Sequence, residues 1–249
     1  MAENAATESA VPSTQPVGWA PFFSPDAGSD SAALFCSVIH ALLPQAAVVV
    51  DVGCGRGGAV EVFDGTDPLD FRGPGRRVIG IDVDQVGVDN PVLDEFRPID
   101  GDRWPLDDAS VDLVVSDWTL EHVADPQAFV RELTRVLRPG GAFVARTVNR
   151  SSVTALGARA VPNRHHAKVV ARLQPGRQDR DVFPTVYKMN TRKALAELFD
   201  RDFEWSATSH AGLHHYFGPW PRMARMVRAV EPRLPRANRL TLMVCARKR

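Results

Sequence analysis

Residues 48–58 read VVVDVGCGRGG. Three β-branched apolar residues run into Val52 through Asp51, and then Gly53, Gly55, Gly57 and Gly58 fill four of six positions. A valine run that ends in a glycine-dense stretch predicts a buried strand handing over to a tight loop. Glycine there permits positive φ and lets a ligand lie against the main chain. The spacing is GxGxGG, and no lysine followed by serine or threonine closes the loop, which argues against phosphoryl transfer. The stretch therefore predicts a phosphate or nucleotide loop at the C-terminal end of a parallel strand.

The flanking sequence supplies the rest of that sheet. Upstream, Asp30–Leu43 predicts an amphipathic helix, capped by Ser29 or Asp30 and stopped by Pro44. Downstream, Val78–Asp82, Val111–Ser116 and Ala142–Val148 are strands without polar alternation, as expected when both faces are covered. Pro126–Arg138 puts Phe129, Val130, Leu133, Val136 and Leu137 on one helical stripe, ended by Pro139-Gly140-Gly141. Strands alternating with helices predict an α/β, doubly wound, mostly parallel sheet. Past Asn149 the rhythm breaks. Residues 150–190 are basic, with no clear strand; a helix at Thr191–Asp200 and strands at Phe203–Ser209 and Arg239–Ala246 follow.

The chain has 249 residues, 44% of them hydrophobic, enough for one generous domain. No stretch approaches the roughly 18 apolar residues of a membrane span. The opening MAENAATESAVPSTQPVG lacks the features of a signal peptide, and residues 1–25 are expected to be a disordered tail. Cys36, Cys54 and Cys245 show no ligand spacing, so no metal cluster is expected, and a reduced, cytoplasmic compartment fits. The zero net charge hides an asymmetry: residues 1–130 hold 22 acids and 6 bases, a balance of −16, and residues 131–249 hold 8 acids and 24 bases, +16. A basic half suits a solvated surface or a polyanionic partner.

Five ordered segments carry a family resemblance. They are the glycine loop; Asp82 at the end of the second strand; Asp100-Gly101-Asp102-Arg103-Trp104-Pro105-Leu106; Leu120-Glu121-His122-Val123; and Arg135-Val136-Leu137-Arg138-Pro139-Gly140-Gly141. In that order and spacing the chain closely resembles the class I S-adenosylmethionine-dependent methyltransferases. The resemblance implies a Rossmann-like sheet of seven strands with inserts after strands 5 and 6. It divides residues 26–249 into a cofactor core at 46–149 and acceptor-covering inserts at 150–190 and 211–238.

For the cofactor, S-adenosylmethionine, the resemblance implies that Gly53, Cys54 and Gly55 pass under its methionine and ribose parts, with Asp51 orienting the amino-acid moiety. Asp82 would accept from the ribose hydroxyls and Val83 would pack on adenine. Asp100 would accept from the adenine amino group, with the Gly101 amide near the ring, and Asp117 would line the methionine end. Trp104 and Asp117-Trp118 depart from the smaller residues usual at those positions. Residues 150–249 more loosely resemble bacterial small-molecule and glycan-pathway methyltransferases, which suggests O-methylation of a sugar or natural-product hydroxyl.

An aliphatic hydroxyl needs a base as it attacks. His122, His165 and His166 are the leading candidates, followed by His214-His215 in the second insert, and Tyr187 is a further pocket-lining residue. Packing is the competing role for each. The signatures of amino-group and cytosine-C5 methylation are missing: the stretch after the fourth strand reads SDWTL, and no Pro-Cys pair occurs. RNA as acceptor and a non-catalytic cofactor-binding scaffold are the alternatives. No aromatic-and-basic module supports nucleic acid, and the intact loop argues against lost catalysis. Finally, Pro221–Val230, PRMARMVRAV, places Met223, Met226, Val227 and Val230 opposite Arg222, Arg225 and Arg228. Its apolar face is expected to pack on the domain as an ordinary amphipathic helix. The alternative is a place beside the acceptor pocket, meeting an anionic or lipid-linked substrate at a membrane surface.

Overall fold

The computed structural model describes residues 31–57, 69–152, 184–212 and 220–249. Seven strands form one sheet: β1 (Val48–Val52), β2 (Arg77–Asp82), β3 (Glu95–Pro98), β4 (Val111–Asp117), β5 (Leu137–Val148), β6 (Phe203–His210) and β7 (Thr241–Lys248). Their order is β3-β2-β1-β4-β5-β7-β6. Strands β1 to β5 pair in parallel, and β7 runs antiparallel between β5 and β6. The chain winds outward from β1 to β3, then returns to β4 on the other side of β1. That reversal opens a crevice beyond the C-terminal ends of β1 and β4, where doubly wound sheets bind ligands.

Two layers cover the sheet because side chains alternate along each strand. Helix α1 (Ser31–Leu42) buries Phe35, Val38, Ile39 and Leu42 against Val49, Leu113, Val115, Val144, Met243 and Cys245. On the other face α2 (Pro126–Val136) and α3 (Arg192–Phe199) pack over Val50, Val114, Phe143, Ala145 and Val244. Asp125 caps α2 by accepting from the Ala128 amide, and Thr191 caps α3 through Ala194. Within this layer Trp104, Phe129, Phe143, Phe199 and Phe203 form an unbroken chain of ring contacts, with centroids 5.1–6.1 Å apart.

The structure corrects several expectations. Strand β3 carries only four residues, EFRP, and no sequence pattern announced it. It is an edge strand, where a proline and two charged residues are tolerated because one side of the ladder needs no partner. Helix α2 stops at Val136, two residues early: Leu137 is already extended and pairs with Val111 before a register shift brings Ala142 beside Leu113. Pro139-Gly140-Gly141 thus occupies the irregular start of β5, with Gly140 at φ 78°. Beyond β4, His122 ends a 3-10 turn at Leu120–His122.

The second insertion joins β6 to β7 and contains α4 (Pro221–Val230). Its stem is tied down. Glu231, 2% exposed, accepts from the Gly212 and Leu240 amides (3.0 and 3.1 Å), and the Asn149 amide donates to the Ala237 and Arg239 carbonyls (2.9 Å each). The helix itself has no buried residue, so among the described residues the expected packing of its apolar face is not found. The expectations for residues 1–25, for Gly58, for His165, His166, His214 and His215, and for most of 150–190 lie outside the described residues.

Candidate cofactor-binding site

The glycine loop leaves β1 braced from below. Gly53, at φ 75°, donates its amide to the Ile81 carbonyl (2.8 Å), and a side chain on it would run into Thr119. The Thr119 hydroxyl lies between the Val52 and Asp117 carbonyls (3.3 and 3.2 Å), so it locks the loop to the end of β4. Asn90 supports the far side by donating to the Cys54 carbonyl at 3.0 Å. The buried Cys54 thiol turns inward onto Gly80, where a Cβ would meet its sulfur at 2.8 Å. Burial pushes that thiol's pKa well up, which makes it inert packing rather than a nucleophile. Gly55 (φ 48°) and Gly101 (φ 81°) differ from Gly53: among the described residues nothing lies within 4 Å of where their side chains would begin. Among those residues the loop is packed beneath and bare above.

Asp82 ties these parts together. One carboxylate oxygen accepts from the Gly55 amide and the other from the Asp84 amide, each at 2.9 Å. Each oxygen keeps a further lone pair. The Asp82 carbonyl accepts from the Ile99 amide at 2.7 Å, which brings exposed Asp100 and Gly101 alongside. Val83, next in sequence, is 66% exposed, an apolar side chain with little to pack on. A bare glycine backbone, a carboxylate with spare lone pairs, and an exposed valine together fit a nucleoside.

Acids dominate the crevice. Asp51, Asp82 and Asp117 lie in the C-terminal ends of three neighbouring strands, β1, β2 and β4. Burial, and then the charges of Asp117 and Asp82, raise the Asp51 pKa to about 7. Asp117 faces Arg146, its register partner on β5, and both guanidinium Nε and Nη2 donate to its carboxylate, the latter at 2.8 Å. The Arg146 guanidinium lies 5.0 Å from the Phe35 ring centroid and 5.3 Å from that of Trp118, which itself adopts φ 53°. This pair is almost fully buried, so each charge depends on the other for its solvation.

Past Asp117 a second cluster forms. The Thr147 hydroxyl donates to Glu121 at 2.6 Å, and Asn190 donates to Thr147 and to the Val148 carbonyl (2.7 and 2.8 Å). Burial raises the Glu121 pKa. The Glu121 carbonyl takes the amides of Val186 and Tyr187, Tyr187 being held at φ 52°. His122 Nδ1 lies 3.1 Å from the Pro184 carbonyl. A carbonyl can only accept, so Nδ1 carries the proton in neutral imidazole and Nε2 is the basic nitrogen.

Of the expected site residues, Asp51, Gly53, Cys54, Gly55, Asp82, Val83, Asp100, Gly101, Asp117 and His122 all lie at the C-terminal edge of β1, β2 and β4 or just beyond the end of β3. Four others were not foreseen in any role there: Thr119, Asn90, Arg146 and Glu121. Arg146 had a legible signal, a lone charge inside the apolar run AFVARTV, which demands a buried partner.

The sheet is of the Rossmann-like fold that methyltransferases share, and its crevice suits a nucleoside. Residues 50–145 match the family model described as a methyltransferase domain. The probable S-adenosylmethionine-dependent methyltransferase of Mycolicibacterium smegmatis is 39% identical over 107 residues, covering 41% of this chain and 38% of that protein. The ubiquinone biosynthesis O-methyltransferase of a Methylobacterium species is 36% identical over 110 residues, 41% of each. The chain thus matches well under half the length of these relatives. Among solved structures, geranyl diphosphate C-methyltransferase from Streptomyces coelicolor superposes with a TM-score of 0.53, covering 94% of this chain and 87% of that one at 16% identity. That likeness is one of fold.

Proposed function

We propose that the chain methylates a hydroxyl of a small molecule or glycan, with S-adenosylmethionine as donor. The observation that carries the reading is the charge of the crevice: three strand-end carboxylates surround a bare glycine loop, and the buried arginine beside them is already paired with Asp117. Such a pocket repels phosphates and suits a nucleoside bearing an ammonium and a sulfonium. The cofactor, when bound, supplies a methyl group already activated for in-line displacement, so positioning of the acceptor does much of the work.

In this reading Asp82 holds the ribose hydroxyls with its spare lone pairs, Val83 covers one face of the adenine, and ionised Asp51 attracts the ammonium. Nε2 of His122 takes the acceptor's proton as its oxygen attacks. The O-methyltransferase among the relatives supports a hydroxyl acceptor. The test is an acceptor screen with radiolabelled cofactor over hydroxylated small molecules and glycans. His122→Ala should lower kcat on the acceptor found by about 10²–10⁴-fold and leave cofactor affinity intact. An unchanged kcat would remove His122 from the chemistry.

A further inference from the structure

We propose that α4 is the docking face by which this protein meets an anionic lipid surface. Four of the seven large apolar side chains exposed among the described residues lie in this one segment: Trp220 (43%), Met223 (42%), Met226 (55%) and Val230 (52%). They are spaced at one helical face. Only Ala224 and Val227 are even half-buried, so the helix touches the domain lightly along its length while Glu231 and Asn149 fix the stem beneath it. A ten-residue helix is too short to persist alone in water, and this one leaves Met223, Met226 and Val230 exposed on its apolar face.

Charge identifies the occupant. Residues 220–249 contain one acid, Glu231, and its carboxylate is spent on two backbone amides. Residues 220–239 contain six arginines. Among the described residues none of Arg222, Arg225 and Arg228 pairs with a carboxylate. An apolar stripe flanked by uncompensated arginines, with a tryptophan at its end, is the composition of a helix lying in a headgroup layer. A polyanion such as RNA would use the arginines but gain nothing from methionine and valine.

The position adds a functional consequence. Thr241 and His210, which bracket the insertion, pair in register beside Val148 at the C-terminal end of β5, so α4 emerges from the same edge of the sheet as the glycine loop. A protein docked through α4 would present its cofactor edge on the side nearer the bilayer.

Co-sedimentation of the full chain tests this without needing the acceptor. Vesicles of phosphatidylcholine alone are compared with vesicles containing phosphatidylglycerol, at low and high salt. The expected result is binding to the anionic vesicles alone, weakened by salt. The triple change Arg222→Gln, Arg225→Gln, Arg228→Gln should cut partitioning by about a hundredfold. Met226→Glu should lose most of it as well, with circular dichroism and melting temperature unchanged in both variants. Equal binding to both vesicle types, no binding to either, or variants that bind as well as the parent overturns the proposal. So does salt-dependent binding to RNA that Met226→Glu leaves intact.

Discussion

Two glycines two positions apart answer to different constraints. Gly53 lacks a side chain because Thr119 occupies the space, while Gly55 lacks one although no described residue fills its space. Gly53→Ala combines a left-handed backbone with overpacking and should destabilise the fold by about 2–4 kcal/mol in denaturant titration. Gly55→Ala meets only the backbone term, about 1–2 kcal/mol, and its larger effect should be on cofactor affinity measured by calorimetry. Asp82→Ala removes the acceptor for two loop amides and for the ribose, and should weaken cofactor binding by roughly 2–4 kcal/mol. Unchanged affinity in that variant would disprove the assignment of the site. Asp51 carries a pH signature. Its folded pKa, about 7, lies above the ordinary 3.8, so the folded chain holds this proton more tightly than the unfolded one. Its contribution to stability is complete below the ordinary value and is lost as pH rises to about 7. Cofactor binding runs the other way, because a cationic ligand prefers the ionised carboxylate. Affinity should climb with pH, by up to about tenfold per unit, and level off above about 7. Asp51→Asn should flatten that profile.

At the scale of elements, the insertion stem hangs on Glu231. Removing its carboxylate leaves the Gly212 and Leu240 amides without their acceptor, and Glu231→Ala should cost about 2–4 kcal/mol, read as a lower melting temperature. Glu231→Gln, which keeps one oxygen, should recover part of it. The same region shows where sequence stops being informative. β1, β2, β4 and β7 were legible because apolar runs with sharp ends have few other uses, and the glycine loop and Asp82 were legible from their place at strand ends. β3 was hidden because an edge strand of four residues has no hydrophobic signature. The end of α2 was misplaced because the apolar stripe continues through Leu137, which serves the same core from an extended backbone. Glu231 reads as one more surface acid beside a proline. Its role arises from amides 9 and 19 residues away, which only the closed hairpin brings together. The exposure of α4 was illegible for a related reason: periodicity reports that a helix has an apolar face, never what covers it.

For the whole molecule, the acidic and basic halves of the sequence share a core. Phe143 touches Phe129 on one side and Phe199 on the other, and Phe199 continues to Phe203 and Trp205. Phe199→Ala should cost about 3–5 kcal/mol. Because the chain of rings spans both halves, unfolding followed by fluorescence and by circular dichroism should remain one coincident transition; two separated transitions would show that the halves melt independently. The strand order has a consequence for the protein while it is being made. β7 is synthesised after β6 yet lies between β6 and β5, so until its residues leave the ribosome β6 has no neighbour to join and the outer edge of β5 stays open. The nascent chain therefore carries a nearly complete half-sheet ending in the apolar edge Ala142–Ala145, ready to pair with any extended chain nearby. Slow translation through the insertion lengthens that exposure, and a chaperone that shields strand edges would act on this protein before it acts on any finished copy.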